Sequence, residues 1–271
     1  MKKIIVNGAN GRMRKEVLKM ILEKNELVLV GACDKKNINK KIKDIVNFSN
    51  KDEINDEIED LIISKNLSDL LEKTDVDIVV DFTTPNSVME NIRTTLEKGT
   101  NMIVGTTGIT ESDLEEIKEL VEKYNAKIII APNFSIGAVL MMQFSQIAAD
   151  YMDDAEIIEL HHDQKIDSPS GTSLRTAELI NDNIKNKAKN KKEYLEKIPG
   201  VRGGSKENIN IHSIRLKGLV AHQEVIFSAD GQSLKIKHDS YNRSSFMPGV
   251  ALAIDKIEDI DGLVYGLEKL I

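Results

Sequence analysis

The densest chemistry in this 271-residue chain lies in His161-His162-Asp163-Gln164-Lys165-Ile166-Asp167-Ser168-Pro169-Ser170-Gly171-Thr172. Glu156–His162 reads as a strand, so the neighbouring imidazoles of His161 and His162 point to opposite faces unless the strand ends there. One of them can address a substrate while the other anchors the strand. Ser170-Gly171-Thr172 opens a helix whose first N–H groups lack intrahelical partners, an arrangement suited to a carboxylate. Lys165 adds a mobile cation. A small dianion, with a histidine nearby to move protons, fits this set. A pair of structural histidines and an ordinary Ser-Pro helix start explain each feature singly; the combination favours a site.

A second constellation stands at the other end of the chain. Gly8-Ala9-Asn10-Gly11-Arg12-Met13 ends the first apolar run and opens the first helix. Glycines there allow a tight turn and let a pyrophosphate approach the helix N–H groups, whose dipole favours negative charge. Asp34 ends the second apolar run about 20 residues on, where a carboxylate accepts hydrogen bonds from a ribose. The plainer readings are a common βα turn and a turn-forming aspartate. Arg14 occupies the place of the third glycine of a dinucleotide fingerprint, so its side chain is expected to point outward or to hold the helix off the strand. Arg14, Lys35 and Lys36 are either surface charges or cations that accept the 2′-phosphate of NADPH.

The elements that must position these residues alternate in the first half. Apolar runs at Ile4–Val6, Leu27–Ala32, Ile78–Phe82, Met102–Val104 and Ile128–Ala131 are separated by amphipathic helical patterns. One has Val17, Leu18, Ile21 and Leu22 on one side; another, Ser87–Glu97, follows the third run. A third is opened by Thr110 with Asp113 as cap and partner. Short buried strands alternating with helices imply right-handed crossovers and a parallel sheet. The polar stretch Lys35–Lys73 is expected to hold short helices near Ile58–Ile63 and Leu67–Leu71. The second half reads as helix (Gly137–Asp150), strand (Glu156–His162) and helix (Thr172–Lys185). Three runs follow, Ile209–Leu216, Val220–Ser228 and Ser233–His238, expected to form a meander of antiparallel hairpins. A last segment, Val250–Ile271, is expected to be helical. The fold class is therefore α/β: a Rossmann-type doubly wound parallel sheet, with an α+β substrate and oligomerisation domain whose sheet is mostly antiparallel. The expected domains are 1–131, completed by 241–271, and 132–240.

Composition narrows the partners. Hydrophobic residues make up 41%, enough for a sizeable core, and 37 basic against 44 acidic residues give a net charge of −7. That balance argues against nucleic acid, which needs a basic face. No apolar stretch approaches a membrane span of about 18 residues, and the N-terminus has no signal-peptide pattern. Cys33 alone cannot close an internal disulfide, and the histidines and cysteine match no common metal spacing. A cytoplasmic location and no bound metal are expected.

These residues resemble the 4-hydroxy-tetrahydrodipicolinate reductase (dihydrodipicolinate reductase) family nearly end to end. The resemblance is carried by Gly8–Met13, Asp81-Phe82-Thr83, Gly105-Thr106-Thr107-Gly108, Ala131-Pro132-Asn133-Phe134-Ser135, His212–Arg215 and, most specifically, the HH-x-x-K-x-D-x-P-S-G-T pattern. It implies His161 as catalytic proton donor with Lys165 as its partner. It implies that His162, Ser170, Gly171 and Thr172 bind substrate carboxylates. Gly8, Ala9, Asn10, Gly11, Arg12, Met13, Asp34, Lys35, Phe82, Gly105, Thr106, Thr107, Ala131, Pro132, Asn133 and Phe134 would line a site for NADH or NADPH, the last four near the nicotinamide. The implied reaction is hydride transfer to a small dicarboxylate with loss of water, in a homotetramer. Arg14 departs from the family pattern and bears on cofactor preference. Two other readings are a catalytically silent NAD(P)-binding regulator and a metal-dependent hydrolase using His161 and His162 with His212 or His222.

Overall fold

The computed structural model describes residues 1–9, 11–44, 61–184 and 195–271. Its backbone divides into two compact units, Met1–Ser135 with Phe246–Ile271, and Ile136–Ser245.

The first unit is built on a parallel sheet. Its strands are β1 (Lys2–Asn7), β2 (Leu27–Cys33), β3 (Ile63–Ser64), β4 (Ile78–Asp81), β5 (Asn101–Val104), β6 (Ile128–Ile130) and β12 (Leu263–Tyr265). They lie in the order β3-β2-β1-β4-β5-β6-β12, every pair parallel. Runs such as Ile4-Ile5-Val6 and Ile128-Ile129-Ile130 are buried on both faces because helices cover the sheet, which is why they are continuously apolar and not alternating. The covering helices of this unit are α1 (Arg12–Leu22), α2 (Leu67–Lys73), α3 (Pro85–Leu96), α4 (Glu111–Tyr124) and α7 (Met247–Lys256). Thr110 forms the expected capping box with Asp113 at the start of α4. The strand order reverses direction between β1 and β4, and ligands of open α/β sheets bind at the carboxyl ends of strands at such a switch point.

Two expectations fail here. Val250–Ile271 is not one helix: α7 stops at Lys256, and after Gly262 (φ +57°) the chain adds β12 beside β6. Leu263-Val264-Tyr265 has strand-forming residues, and their partner lies more than a hundred residues away. Of the helix expected near Ile58–Ile63, residues 58–60 lie outside the described residues. Its described end is extended, with Ile62 bridging Lys41 and the buried Ile63 pairing with Ala32 of β2.

The second unit carries α5 (Ile136–Ala149), β7 (Asp154–His161), α6 (Gly171–Asn183), β8 (Gly204–Lys206), β9 (Ile209–Arg215), β10 (Ala221–Ala229) and β11 (Gln232–Ser240). Its sheet runs β11-β10-β7-β9-β8. Ile157, Ile180, Ile211, Val225 and Phe227 form its core. Side chains of this size contribute about 1.5–3 kcal/mol each on burial. The expected meander is only half right. β10 and β11 form a hairpin, but β7 inserts between β9 and β10, parallel to the first and antiparallel to the second. The β9–β10 connection therefore crosses the end of β7, where Leu216 N donates to His161 O at 3.1 Å. Among the described residues, no helix is long and apolar enough to cross a membrane.

Candidate active site

In the first unit the candidate residues gather at the carboxyl ends of β1, β2, β4, β5 and β6. Gly8 takes φ +85°, where a side chain would be strained, and Gly8 N and Ala9 N both donate to Cys33 O, at 2.6 and 2.9 Å. The turn is thus clamped to the end of β2. Gly11 caps α1 without a side-chain hydrogen bond, and the first turn of that helix has no acidic residue. Its leading N–H groups suit phosphate oxygens. Arg12 opens α1 and Met13 is half-buried in its first turn, whereas Asn10 and the Arg12 side chain lie outside the described residues.

Of the two arrangements expected for Arg14, an outward side chain or a helix held off the strand, the outward one is not what forms. The Arg14 guanidinium folds back over the glycine turn, so that Cβ atoms added at Gly8 or Gly11 would lie 2.7 and 2.6 Å from it. Nε donates to Phe82 O, Nη2 to Thr83 O at 3.4 Å, and Nη1 lies 3.7 Å from Asp34 Oδ2. The side chain holds the βα turn against the strand ends and supplies a cation at the spot where the glycine would leave space. Burial pulls its proton affinity down, opposed by Asp34 and Asp81. Asp34 is buried directly after β2 and accepts from Lys36 N at 2.8 Å. The Lys35 and Lys36 side chains are exposed.

Phe82, buried after β4, meets Phe134 at 5.6 Å between ring centroids. Gly105, after β5, lies flat against that ring: a Cβ there would collide with it. Thr106 is buried and Thr107 exposed; Ala131 N is tied to Val104 O at 3.0 Å, Pro132 is exposed, and Asn133 Oδ1 accepts from Ser135 N at 2.9 Å. One residue given no role from sequence organises these loops. Asp81 is fully buried, and its carboxylate accepts from Asn7 and Asn91 Nδ2 at 2.8 Å, Thr83 N at 3.0 Å, Thr83 Oγ1 at 2.8 Å and Thr106 Oγ1 at 2.9 Å. A buried charge must be satisfied in this way. The signal was an aspartate closing an otherwise apolar strand.

In the second unit β7 ends at His161, so His162 leaves the strand and the two imidazoles need not oppose each other. His161 Nδ1 meets Glu159 Oε2 at 2.5 Å. Glu159 is fully buried and is also held by Arg215, whose Nη1 and Nη2 donate to its two oxygens at 2.9 and 2.7 Å. Burial alone would raise the Glu159 carboxyl, but hydrogen bonds from His161, Arg215 and Ser213 outweigh it and bring it down to about 2. His162 Nδ1 is buried with no hydrogen-bond partner among the described residues. Lys165 is less mobile than expected: Nζ grips both oxygens of Asp167, at 2.7 and 2.6 Å.

Ser170 caps α6, accepting from Ser173 N at 3.2 Å, and its hydroxyl lies 2.8 Å from Ser173 Oγ. Beneath the cap, Ser173 donates to Gln223, Gln223 to Thr176 and Thr176 to Thr172 O, at 2.7, 2.8 and 2.7 Å. This buried network fixes the helix start, which Gly171 leaves open, since a Cβ there would meet nothing within 4 Å. His212 and His222 are paired elsewhere, with Glu156 and Asp239, each at 2.8 Å. Among the described residues, no three or more His, Cys, Asp or Glu side chains gather to hold a metal.

A Rossmann unit with a glycine turn at its switch point, followed by a mixed-sheet unit carrying a histidine–carboxylate pair beside an open helix start, defines a dehydrogenase of two-unit architecture. Solved dehydrogenases share that fold at low identity, among them the amine dehydrogenase from Mycobacterium smegmatis (TM-score 0.67, 13% identity, covering 97% of this chain and 94% of that one). The chain belongs to the dihydrodipicolinate reductase family, whose N-terminal region matches residues 2–134 and whose C-terminal region matches residues 137–271. It is 47% identical to 4-hydroxy-tetrahydrodipicolinate reductase from Listeria welshimeri (99% of each chain) and 44% identical to that from Bacillus subtilis (99% of this chain, 97% of the relative). The dipicolinate-bound dihydrodipicolinate reductase from Paenisporosarcina sp. TG-14 matches with a TM-score of 0.85 at 38% identity, over 100% of both chains.

Proposed function

We propose that the chain reduces 4-hydroxy-tetrahydrodipicolinate to tetrahydrodipicolinate with NADH or NADPH, in lysine and diaminopimelate biosynthesis. The observation that carries this reading is the single segment His161–Thr172, which holds a carboxylate-paired imidazole, an ammonium and an open helix start. A silent regulator has no need of that set.

The residues of the first unit fit a dinucleotide. The uncapped α1 start and the turn Gly8–Met13 suit the pyrophosphate, while Asp34, with Lys35 beside it, suits the adenosine ribose. Phe82, Gly105–Thr107 and Ala131–Phe134 line the rest of the site, with Ala131–Phe134 at the nicotinamide end. When bound there, NADH or NADPH would supply the hydride that reduces C4 of the substrate ring. In the second unit His162, Gly171 and Thr172 bind the two carboxylates, Ser170 holding the helix start in place. Lys165 turns part of its charge from Asp167 to the incoming dianion. Departure of the 4-hydroxyl as water consumes one proton, and His161 donates it. The planar dicarboxylate bound to the Paenisporosarcina relative supports this substrate class.

A homotetramer in the cytoplasm completes the reading. Phe144 and Ile147 on α5, Tyr151 just after it, and Leu234 on edge strand β11 are exposed, and such surface suits subunit contacts. Enzymatically generated substrate should oxidise NADH or NADPH in the presence of the chain, read as loss of reduced-nicotinamide absorbance. No turnover with either cofactor overturns the reading.

A further inference from the structure

We infer that Glu159, held by Arg215, is the positioning residue of the proton-transfer centre, committing Nδ1 of His161 so that Nε2 is the nitrogen that faces substrate. This rests on the reading of His161 as the proton donor.

The strand geometry builds the arrangement. Glu159 and His161 are two residues apart on β7 and share one face of the sheet. On the neighbouring parallel strand β9, Ser213 stands opposite Glu159 and Arg215 opposite His161. Arg215 therefore reaches diagonally to Glu159, and its Nη2 also donates to Asp167 O at 2.9 Å, tying the Lys165 loop to the same cluster. On the other side β10 presents Gln223, an uncharged residue, opposite Glu159. From α6 come the neutral Ser173 and Thr176, while Arg175 and Glu178 of that helix pair with each other on its exposed side. His222, opposite Leu160, and His212, opposite Ile158, alternate to the other face. Among the described residues, the charged groups this network brings to His161 are Glu159, Arg215 and the Lys165–Asp167 pair.

The chemistry follows from this set. An ionised carboxylate accepts Nδ1–H and selects that tautomer in the neutral ring, leaving Nε2 to exchange protons with substrate. In general a negative charge beside an imidazole favours its protonated form and a positive charge opposes it. Substitutions of Glu159 and Arg215 should therefore move the proton donor in opposite directions, an effect that lost packing does not produce.

The test is the pH dependence of kcat/KM for the intact enzyme. E159Q should lower kcat about tenfold to a hundredfold, with KM for the dicarboxylate changed less than about threefold, the size of effect typical for a residue that orients a ligating or catalytic histidine. Its alkaline limb should move to lower pH by about one unit or more. R215M should move that limb to higher pH, and the double variant should return towards wild type. Limbs that stay put, or that move together, overturn the assignment. Nitrogen-15 NMR of the wild-type histidines, with H161Q to identify the signal, gives a reading independent of turnover. Neutral His161 should carry its proton on Nδ1; a proton on Nε2 refutes the inference even if a variant fails to fold. Absence of wild-type turnover would instead count against the functional reading and leave the NMR result to decide the pairing.

Discussion

Replacing Arg14 by glycine supplies the third glycine of a dinucleotide fingerprint and removes the cation that folds over Gly8 and Gly11, in the turn proposed to hold the cofactor. Arg14 Nη1 lies 3.7 Å from Asp34 Oδ2, with side-chain exposures of 19% and 9%. Coulomb's law at that separation gives about 1 kcal/mol in water and about 4 kcal/mol at an effective dielectric of 20. Because the pair is largely but not wholly withdrawn from water, the effective coupling falls near the lower of these limits, at about 1–2 kcal/mol. With the cofactor seated as proposed, this pairing should blunt the negative charge of Asp34 and leave only weak discrimination against a 2′-phosphate. The wild type should accept both cofactors, with kcat/KM values within about tenfold, equivalent to 1.4 kcal/mol. R14G exposes the full charge of Asp34 to the ribose end and should shift the ratio about fivefold to thirtyfold towards NADH. It also leaves Phe82 O and Thr83 O without their donor. Two lost hydrogen bonds at about 1 kcal/mol each and a helical glycine at about 1 kcal/mol lower the melting temperature by roughly 5–10 °C. Steady-state kinetics with both cofactors, at two salt concentrations, is the assay. Salt should raise KM for NADPH more than for NADH in the wild type, and this difference should shrink in R14G. A ratio that stays within twofold of wild type, or that moves towards NADPH, refutes the argument.

Three further outcomes are expected. H161Q should lose about 10²–10⁴ in kcat with nicotinamide binding nearly intact, and K165A should be comparably impaired; wild-type turnover in either removes that residue from the mechanism. T172V should raise KM for the dicarboxylate, and pyridine-2,6-dicarboxylate should compete with substrate; an analogue that neither inhibits nor raises the melting temperature would mean the anion site lies elsewhere. The depressed carboxyl of Glu159, about 2 against an ordinary 4.5, stabilises the folded state above the unfolded value. That contribution, about 3 kcal/mol, is lost as pH falls from about 4.5 through 2. Urea unfolding between pH 6 and 2 should show a shallower acid loss for E159Q, and parallel curves would contradict the assignment.

The readable parts of this protein are those whose physics is local or periodic. Ile4–Val6, Ile78–Val80 and Ile128–Ile130 are continuous apolar runs because both faces of a parallel sheet are covered, and that alone announced the first unit. The Thr110–Asp113 box and the Ser170 cap each close within four residues, so the sequence spells them out. The glycine turn and the segment His161–Thr172 are likewise contiguous, which made both constellations visible as strings. What escaped depended on residues brought together from far apart. Leu263–Tyr265 becomes a strand only because Ile128–Ile130 offers an open sheet edge. The β9–β10 pair looks like a hairpin until β7 takes the place between them. Arg14 turns inward because Phe82 O, Thr83 O and Asp34 surround it with acceptors from β2 and β4, and no spacing rule within α1 contains those partners. Glu159 and Arg215 are 56 positions apart, and only the β7–β9 register makes them neighbours. The sequence by itself determined the apolar runs of the parallel sheet, most of the helices that cover it and which short strings could do chemistry, because those depend on neighbours along the chain. Only the tertiary structure decided how the His161 imidazole is paired and how the glycine turn is charged, because a buried ion takes the partners that packing brings to it.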